Sequence, residues 1–203
     1  GQALPDITAN ILQRMTVVLA NKKPDLLLVH GDTTTTLAAA MAGFYAGVQV
    51  GHVEAGLRTY DIQAPFPEEF NRQVTSKIAK WHFAPTEQSR RNLILEGVQD
   101  QNVIVTGNTV IDALQWILAR IQSDPSRAAR LDTLIKQFLS FDWKESRFVL
   151  ITGHRRENFG GGIQQICKAL IELAHRFGDM RFVYPLHMNP NIREPVGKLL
   201  SDI

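Results

Sequence analysis

The sequence predicts an α/β protein built on parallel sheets, from three observations. Short apolar runs alternate with segments whose apolar residues recur at helical spacing. The helical segments run for about 10–15 residues, the length that βαβ crossovers take. Gly or Pro punctuates many of the changes from one kind to the other.

Taken in order, residues 6–20 place Ile7, Ile11, Leu12, Met15, Val18 and Leu19 at helical spacing, and Pro24 ends that helix. Residues 25–29, Asp-Leu-Leu-Leu-Val, read as a fully buried strand. His30-Gly31-Asp32 leads into threonines 33–36 and an alanine-rich helix through Ala46, whose small residues suit close packing on a sheet. Residues 48–53 are the next strand, 55–67 a loop with Gly and Pro, 68–80 a helix and 81–84 a short strand. Residues 86–96 form a helix with Thr86 as N-cap and Gly97 as its stop, and 102–106 a strand. The rhythm then changes. Residues 109–139 are helical, broken at Asp124-Pro125, with no strand between. The βα pattern restarts with a strand at 147–151, a helix at 160–177, a strand at 181–184 and a helix at 190–201. Two domains are expected, 1–107 and 108–203, with the boundary near Gly107-Asn108. The first has four strands and the second two, fewer than the ~4–6 of most open sheets, so the second is expected to be incomplete.

Composition narrows the function classes. With 44% hydrophobic and 21% charged residues the chain is an ordinary globular one. A formal charge of only +2 gives no footprint for nucleic acid or an acidic membrane. The single cysteine, Cys167, excludes an internal disulfide and a multi-cysteine metal site, and suits a reducing compartment. No apolar run approaches the ~18 residues of a membrane span. The start, Gly1-Gln2-Ala3-Leu4-Pro5, has neither the basic nor the apolar region of a signal peptide, and the missing initiator Met suggests a piece of a longer chain.

Ligands of parallel α/β sheets sit beyond the carboxyl ends of the strands, so the residues there are the candidates. Asp32 can serve as a general acid or base, with the threonine run offering hydroxyls and helix amides to an anion; alternatively Asp32 or Thr33 simply caps the helix. Glu54 follows a buried strand and is costly there unless it faces a cleft or pairs, for instance with Arg58. Glu68 and Arg72 are four apart on the helix that opens after Pro67; a glutamate in a first turn also answers the helix dipole with no further role. The richest stretch is 152–162, where His154, Arg155 and Arg156 stand beside three glycines at a helix start, a combination suited to phosphate. His187 stands beyond the last strand, and the other histidines have weaker cases. No histidine pair has metal-ligand spacing, and Cys167 lies among Ile163, Ile166, Leu170 and Ile171, as a core residue would.

Several of these segments together carry a resemblance. They are His30-Gly31-Asp32-Thr33-Thr34-Thr35, Gly51-His52-Val53-Glu54-Ala55-Gly56-Leu57-Arg58-Thr59, Pro67-Glu68-Glu69 with Asn71-Arg72, and Thr106-Gly107-Asn108-Thr109-Val110-Ile111-Asp112. Thr152-Gly153-His154-Arg155-Arg156-Glu157-Asn158-Phe159 and Tyr184-Pro185 with His187, Asn189, Pro190 and Asn191 complete the set. In that order, over essentially the whole chain, they closely resemble the non-hydrolysing UDP-N-acetylglucosamine 2-epimerases. The resemblance implies a glycosyltransferase-B-like α/β architecture, with two Rossmann-like domains facing a cleft that holds the nucleotide-sugar. It implies an isomerase, a cytoplasmic homodimer without a cofactor or metal, that binds UDP-N-acetylglucosamine and UDP and serves polysaccharide biosynthesis. The implied reaction eliminates UDP to give 2-acetamidoglucal and adds UDP back with the opposite configuration at C2. Asp32, Glu54, Glu68 and His154 match the family's catalytic positions. Asp32, Glu54, Arg72, His154 and Arg155 match substrate contacts, and Arg155 with His187 match an activator site of allosteric members.

Family members are longer at both ends. The chain lacks their amino-terminal Gly-Thr-Arg-Pro-Glu loop and their carboxyl-terminal serine–glycine–glycine loop, so each domain is expected to be incomplete and the 203 residues inactive alone. Two alternatives remain at this level: a non-catalytic UDP-sugar-binding module, and a glycosyltransferase of the same architecture. The carboxylate set favours epimerisation, because transfer requires an acceptor site.

Overall fold

The computed structural model describes residues 2–153, 161–186, 188 and 190–200. The chain divides into two compact units, Gly1–Ile117 and Leu118–Ile203.

The first unit opens with α1 (Leu4–Lys22), longer at both ends than the periodicity suggests. Pro5 suits its first turn, where no amide partner is needed. Its end is set by Lys23, left-handed at φ 44°, whose amide returns to the Leu19 carbonyl at 2.9 Å. β1 (Leu26–His30), β2 (Gln49–Val53), β3 (Trp81–Ala84) and β4 (Val103–Val105) follow in chain order, joined by α2 (Thr34–Tyr45), α3 (Glu68–Ile78) and α4 (Glu87–Leu95). They form one all-parallel sheet in the order β1-β2-β3-β4, with Leu28 opposite Gly51, His52 opposite His82 and Phe83 opposite Ile104. Right-handed crossovers that all step in one direction place their helices on one face of the sheet.

The burial pattern follows that rule. Side chains alternate between faces, so Val29, Val50, His52, His82, Ala84 and Val103 share one face, and all are buried. Leu26, Leu28 and Ile104 share the other and are 40%, 58% and 48% exposed. The expectation of a fully buried strand at 25–29 is therefore corrected for this chain: within its 203 residues β1 is covered on one face only, because the crossovers present supply helices to one side. On the covered face α2 lies close to the sheet. Ala38, Ala40 and Ala42 are buried, and a methyl added at Gly43 would come within 3.0 Å of both Leu27 and Val50. The small-residue reading of this helix holds.

The Thr86 cap expected from the sequence forms, and of the two residues considered for α2 it is Thr33 that caps. Thr33 Oγ1 accepts from the Thr36 amide at 3.2 Å and Thr86 Oγ1 from the Ser89 amide at 3.1 Å. Gly97, at φ +89°, follows α4 as its stop.

α5 (Thr109–Gln122) and α6 (Pro125–Phe138) break at Asp124, whose carboxylate accepts from the Arg127 amide. In the second unit β5 (Phe148–Leu150) pairs in parallel with β6 (Arg181–Val183), and α7 (Gly161–Arg176) packs against α8 (Pro190–Leu200). Ile163, Cys167 and Val196 form its buried core, with Tyr184, Leu186 and Leu200 packed on them. Cys167 is the core residue its neighbours suggest, and burial pushes its thiol pKa up.

Candidate active site

The candidate residues of the first unit gather at the carboxyl ends of β1 and β2 and the start of α3. Beyond β1 the chain turns at Gly31, which takes φ +72° and donates its amide to the Val53 carbonyl at 2.9 Å. That bond continues the β1–β2 ladder past the end of the strand. Because Thr33 caps α2, Asp32 is not used as a cap. Its carboxylate is 30% exposed and lies 3.3 Å from Arg72 Nη1, while its carbonyl accepts from Asn71 Nδ2 at 2.8 Å.

Glu54 is the first residue after β2. It adopts φ +68°, which is rare for a residue with a Cβ and is favoured by nothing in its own side chain. The turn brings its carboxylate back against the neighbouring strand end. Glu54 Oε2 is 3.4 Å from His30 Nε2, and a methyl at Gly31 would sit 3.5 Å from it. Glu54 and Asp32 thus flank the Gly31 turn. Thr109 also approaches His30, Oγ1 to Nε2, at 3.4 Å.

The pairing of Glu54 with Arg58 is not formed. The fully buried Arg58 side chain instead donates from Nε and Nη2 to both oxygens of Glu96, at 2.6 and 2.7 Å, and to Ser76 Oγ and the Leu57 carbonyl. Five donors in a planar fork suit that set, and Glu54 is left beside His30.

α3 presents Glu68, Asn71, Arg72 and Thr75 along one side, at i, i+3, i+4 and i+7. Glu68 is half-buried at its first position. Arg72 does not pair with Glu68. Its Nε donates to Glu69 Oε2 at 2.6 Å, its Nη2 also reaches that oxygen, and Nη1 is left toward Asp32. Glu69, fully buried, is the residue that sequence reasoning missed. In a Glu-Glu pair opening a helix both fit the dipole, and only the surroundings tell them apart.

His52, given a weak case from the sequence, supports the Gly31 turn from beneath. It is fully buried, and its Nε2 donates to the Gly31 carbonyl at 2.7 Å. That fixes the tautomer with a bare Nδ1, which has no hydrogen-bond partner among the described residues. Burial is the main cause that lowers its pKa to about 4; the bond to Gly31 acts the other way and Arg58 adds to the lowering. His82, beside it on the sheet, is also lowered to about 4, by burial and then by His52. Both rings are neutral at pH 7.

The structure therefore brings Asp32, Glu54 and Arg72 to one place, with Glu68 on the side of α3 that carries Arg72. His154, Arg155 and His187 lie outside the described residues. Carboxylates at the edge of a parallel sheet, one of them beside a buried guanidinium, can accept and donate protons while the cation holds an anionic group in reach. Among the described residues no group of three metal-ligating side chains gathers, and no helix is long and apolar enough to cross a membrane.

Comparison with known proteins identifies the relatives of this arrangement. The family described as UDP-N-acetylglucosamine 2-epimerase matches residues 1–203. The UDP-N-acetylglucosamine 2-epimerases of Yersinia pestis and Escherichia coli K12 are 52% and 48% identical over 203 residues; each match takes in the whole chain and 53% of the relative. The crystal structure of the Neisseria meningitidis enzyme bound to UDP-GlcNAc superposes with a TM-score of 0.92 at 48% identity, over 100% of this chain and 53% of that one. The Methanocaldococcus jannaschii enzyme, in complex with UDP-GlcNAc and UDP, gives 0.80 at 30% identity, over 100% and 52%. The fold is the glycosyltransferase-B-like α/β type of these neighbours, and the chain spans about half the length of the relatives it matches. Matched by the family model over its whole length, the chain belongs to the UDP-N-acetylglucosamine 2-epimerase family.

Proposed function

We propose that the natural protein containing this chain is an isomerase that interconverts UDP-N-acetylglucosamine and UDP-N-acetylmannosamine. The observation that carries the reading is the placement of Asp32 and Glu54 on either side of the Gly31 turn, with Arg72 beside Asp32. In the proposed reaction a carboxylate removes the C2 proton, the C1–oxygen bond breaks, and UDP leaves as C1=C2 forms. Readdition of UDP to the 2-acetamidoglucal, with a proton delivered to the other face of C2, gives the epimer. A weakly acidic proton that leaves one face and returns on the other needs acid–base groups on both sides, a task for Asp32, Glu54 and Glu68. His154 and Arg155 are assigned to the diphosphate, whose charge grows as it departs, and Arg155 with His187 to an activator site. Residues 1–107 and 108–203 are assigned to two nucleotide-sugar-handling domains of a cytoplasmic homodimer that uses no cofactor.

The reading is tested in the natural full-length protein. Asp32→Asn, Glu54→Gln and Glu68→Gln are each expected to lower kcat by about 10²–10⁴-fold while UDP binding changes little. In D₂O the wild type should place deuterium at C2 of the product. Variants with wild-type turnover and exchange would return these residues to capping and ion pairing. The 203 residues alone should give no UDP-N-acetylmannosamine or free 2-acetamidoglucal above a buffer control. Loss of one well-placed donor costs about 10²–10³ in rate, and the family loops missing from this chain supply several.

A further inference from the structure

Glu69 is the one carboxylate fully buried among the described residues. An unpaired charge there would be neutralised or driven to the surface. Instead it collects hydrogen bonds from two elements. Arg72 Nε and Gln73 Nε2, on its own helix, donate at 2.6 and 2.7 Å. The backbone amides of Thr59 and Tyr60, in the loop after β2, each donate at 3.1 Å. Burial works to raise its pKa, and the bonds from Gln73, the Thr59 amide and Arg72 outweigh it, holding the carboxyl at about 2. Tyr60 itself sits at φ +62°, a conformation that a bulky residue keeps only where its surroundings enforce it.

The orientation of Arg72 follows. Two of its nitrogens, Nε and Nη2, are engaged by Glu69, which leaves Nη1 to approach Asp32 at 3.3 Å through a single prong. Freed from Glu69, the guanidinium fork can turn and take both oxygens of Asp32, the two-pronged pairing that arginine and carboxylate prefer. A second prong would stabilise the ionised form of Asp32 and weaken it as a proton acceptor.

We propose that Glu69 is the positioning residue of this site: it clamps the Thr59–Tyr60 backbone to α3 and holds Arg72 so that one prong reaches Asp32. The clamp stands on the geometry alone, whereas its effect on turnover rests on the epimerase reading. Glu69 touches no reacting atom, and its role passes through Arg72.

Two measurements test it, both on the natural full-length protein. The first is amide hydrogen exchange in the wild type and Glu69→Gln. The Thr59 and Tyr60 amides should exchange about tenfold faster in the variant, the equivalent of one lost hydrogen bond to a charged acceptor. The Ala55 amide, bonded to the Phe83 carbonyl at 3.1 Å in the same unit, should keep its protection and so report an intact sheet. Unchanged exchange at Thr59 and Tyr60 overturns the clamp. The second is a double-mutant cycle on UDP-N-acetylglucosamine turnover. Glu69→Gln should lower kcat about 100-fold, the scale of a misplaced catalytic group, with KM within about threefold. Adding Arg72→Gln should then lower kcat little further, because both variants break one route, while the loss of the Arg72 contact to substrate is read in KM. Fully additive losses, or wild-type kcat in Glu69→Gln, overturn the route through Arg72. A wild type without turnover strikes the reaction assigned above and leaves the exchange rates to decide the clamp. If Glu69→Gln does not fold, Glu69→Asp replaces it with the same readouts, since it keeps the charge and shortens the reach.

Discussion

Between Thr36 and Asn92 the first unit buries ten polar or charged side chains, among them His52, Glu69, Arg72 and His82. Among its described residues the second unit buries Ile163, Cys167 and Val196, and no polar side chain. A buried polar group costs about 1–3 kcal/mol if left unpaired, so each one in the first unit demands partners in defined places. Glu69 has four hydrogen-bond donors, and Arg58 meets Glu96, Ser76 and its own neighbour's carbonyl. The contrast teaches where geometry is specified. Apolar contacts tolerate repacking, whereas a paired buried charge accepts few arrangements, and here one such pair, Arg72 with Glu69, stands beside the candidate acid Asp32.

The contrast can be broken most severely at Gly56. This residue is at φ +90°, and a methyl there would lie 2.2 Å from the Ser89 carbonyl oxygen. Gly56→Ala is expected to cost about 4 kcal/mol or more in urea unfolding, among the largest single-residue effects. Gly178→Ala in the second unit meets nothing within 4 Å, and should change stability by less than about 0.5 kcal/mol. Equal effects would show that the two units are packed alike.

Next is the buried ion pair. Arg58→Gln strands Glu96 and should cost about 3 kcal/mol. The matching change in the second unit, Arg147→Gln, removes an exposed partner 3.8 Å from Asp179 and should leave the unfolding midpoint unmoved.

Acid should separate the two units as well. His52 and His82 have folded pKa values of about 4, below the ordinary 6.5. The unfolded chain therefore binds more protons than the folded one between those values, and stability must fall as pH drops through that window. From pH 7.5 to 5 the loss should be about 2 kcal/mol per histidine, and His82→Asn should halve it. Glu69 acts lower down: its pKa of about 2 lies under the ordinary 4.5, so its contribution is present above 4.5 and is lost as pH falls toward 2. The steepest acid sensitivity should thus appear in probes of the first unit, such as exchange at Ala55, before probes of the second, such as thiol labelling of buried Cys167. Simultaneous loss would mean the units unfold together.

Much of this architecture was legible in the residues. The alternation of β and α elements, the Thr86 cap, the Gly97 stop and the core place of Cys167 are local or periodic properties, and the chain adopts them. Asp32, Glu54 and Arg72 were legible because they follow strand ends or sit on the helix facing them. Two departures concern partners and one concerns burial, the exposed face of β1. Proximity in sequence offers Glu54 as a partner for Arg58, which instead crosses to Glu96; helical spacing puts Arg72 on the side of Glu68, yet it takes Glu69 and Asp32.

The parallel α/β order and the family follow from the residues alone, because hydrophobic period, cap chemistry and motif spacing act within a few residues or repeat along the chain. Only the tertiary structure decided which face of the sheet is covered and which of two adjacent glutamates is buried. It also decided that the Glu54 turn brings its carboxylate back beside Gly31. Those outcomes depend on where helices land after a crossover and on which donors then converge from residues 10 to 40 positions apart. Local propensity carries no record of that convergence, because the energy that selects it arises only when the groups leave water together.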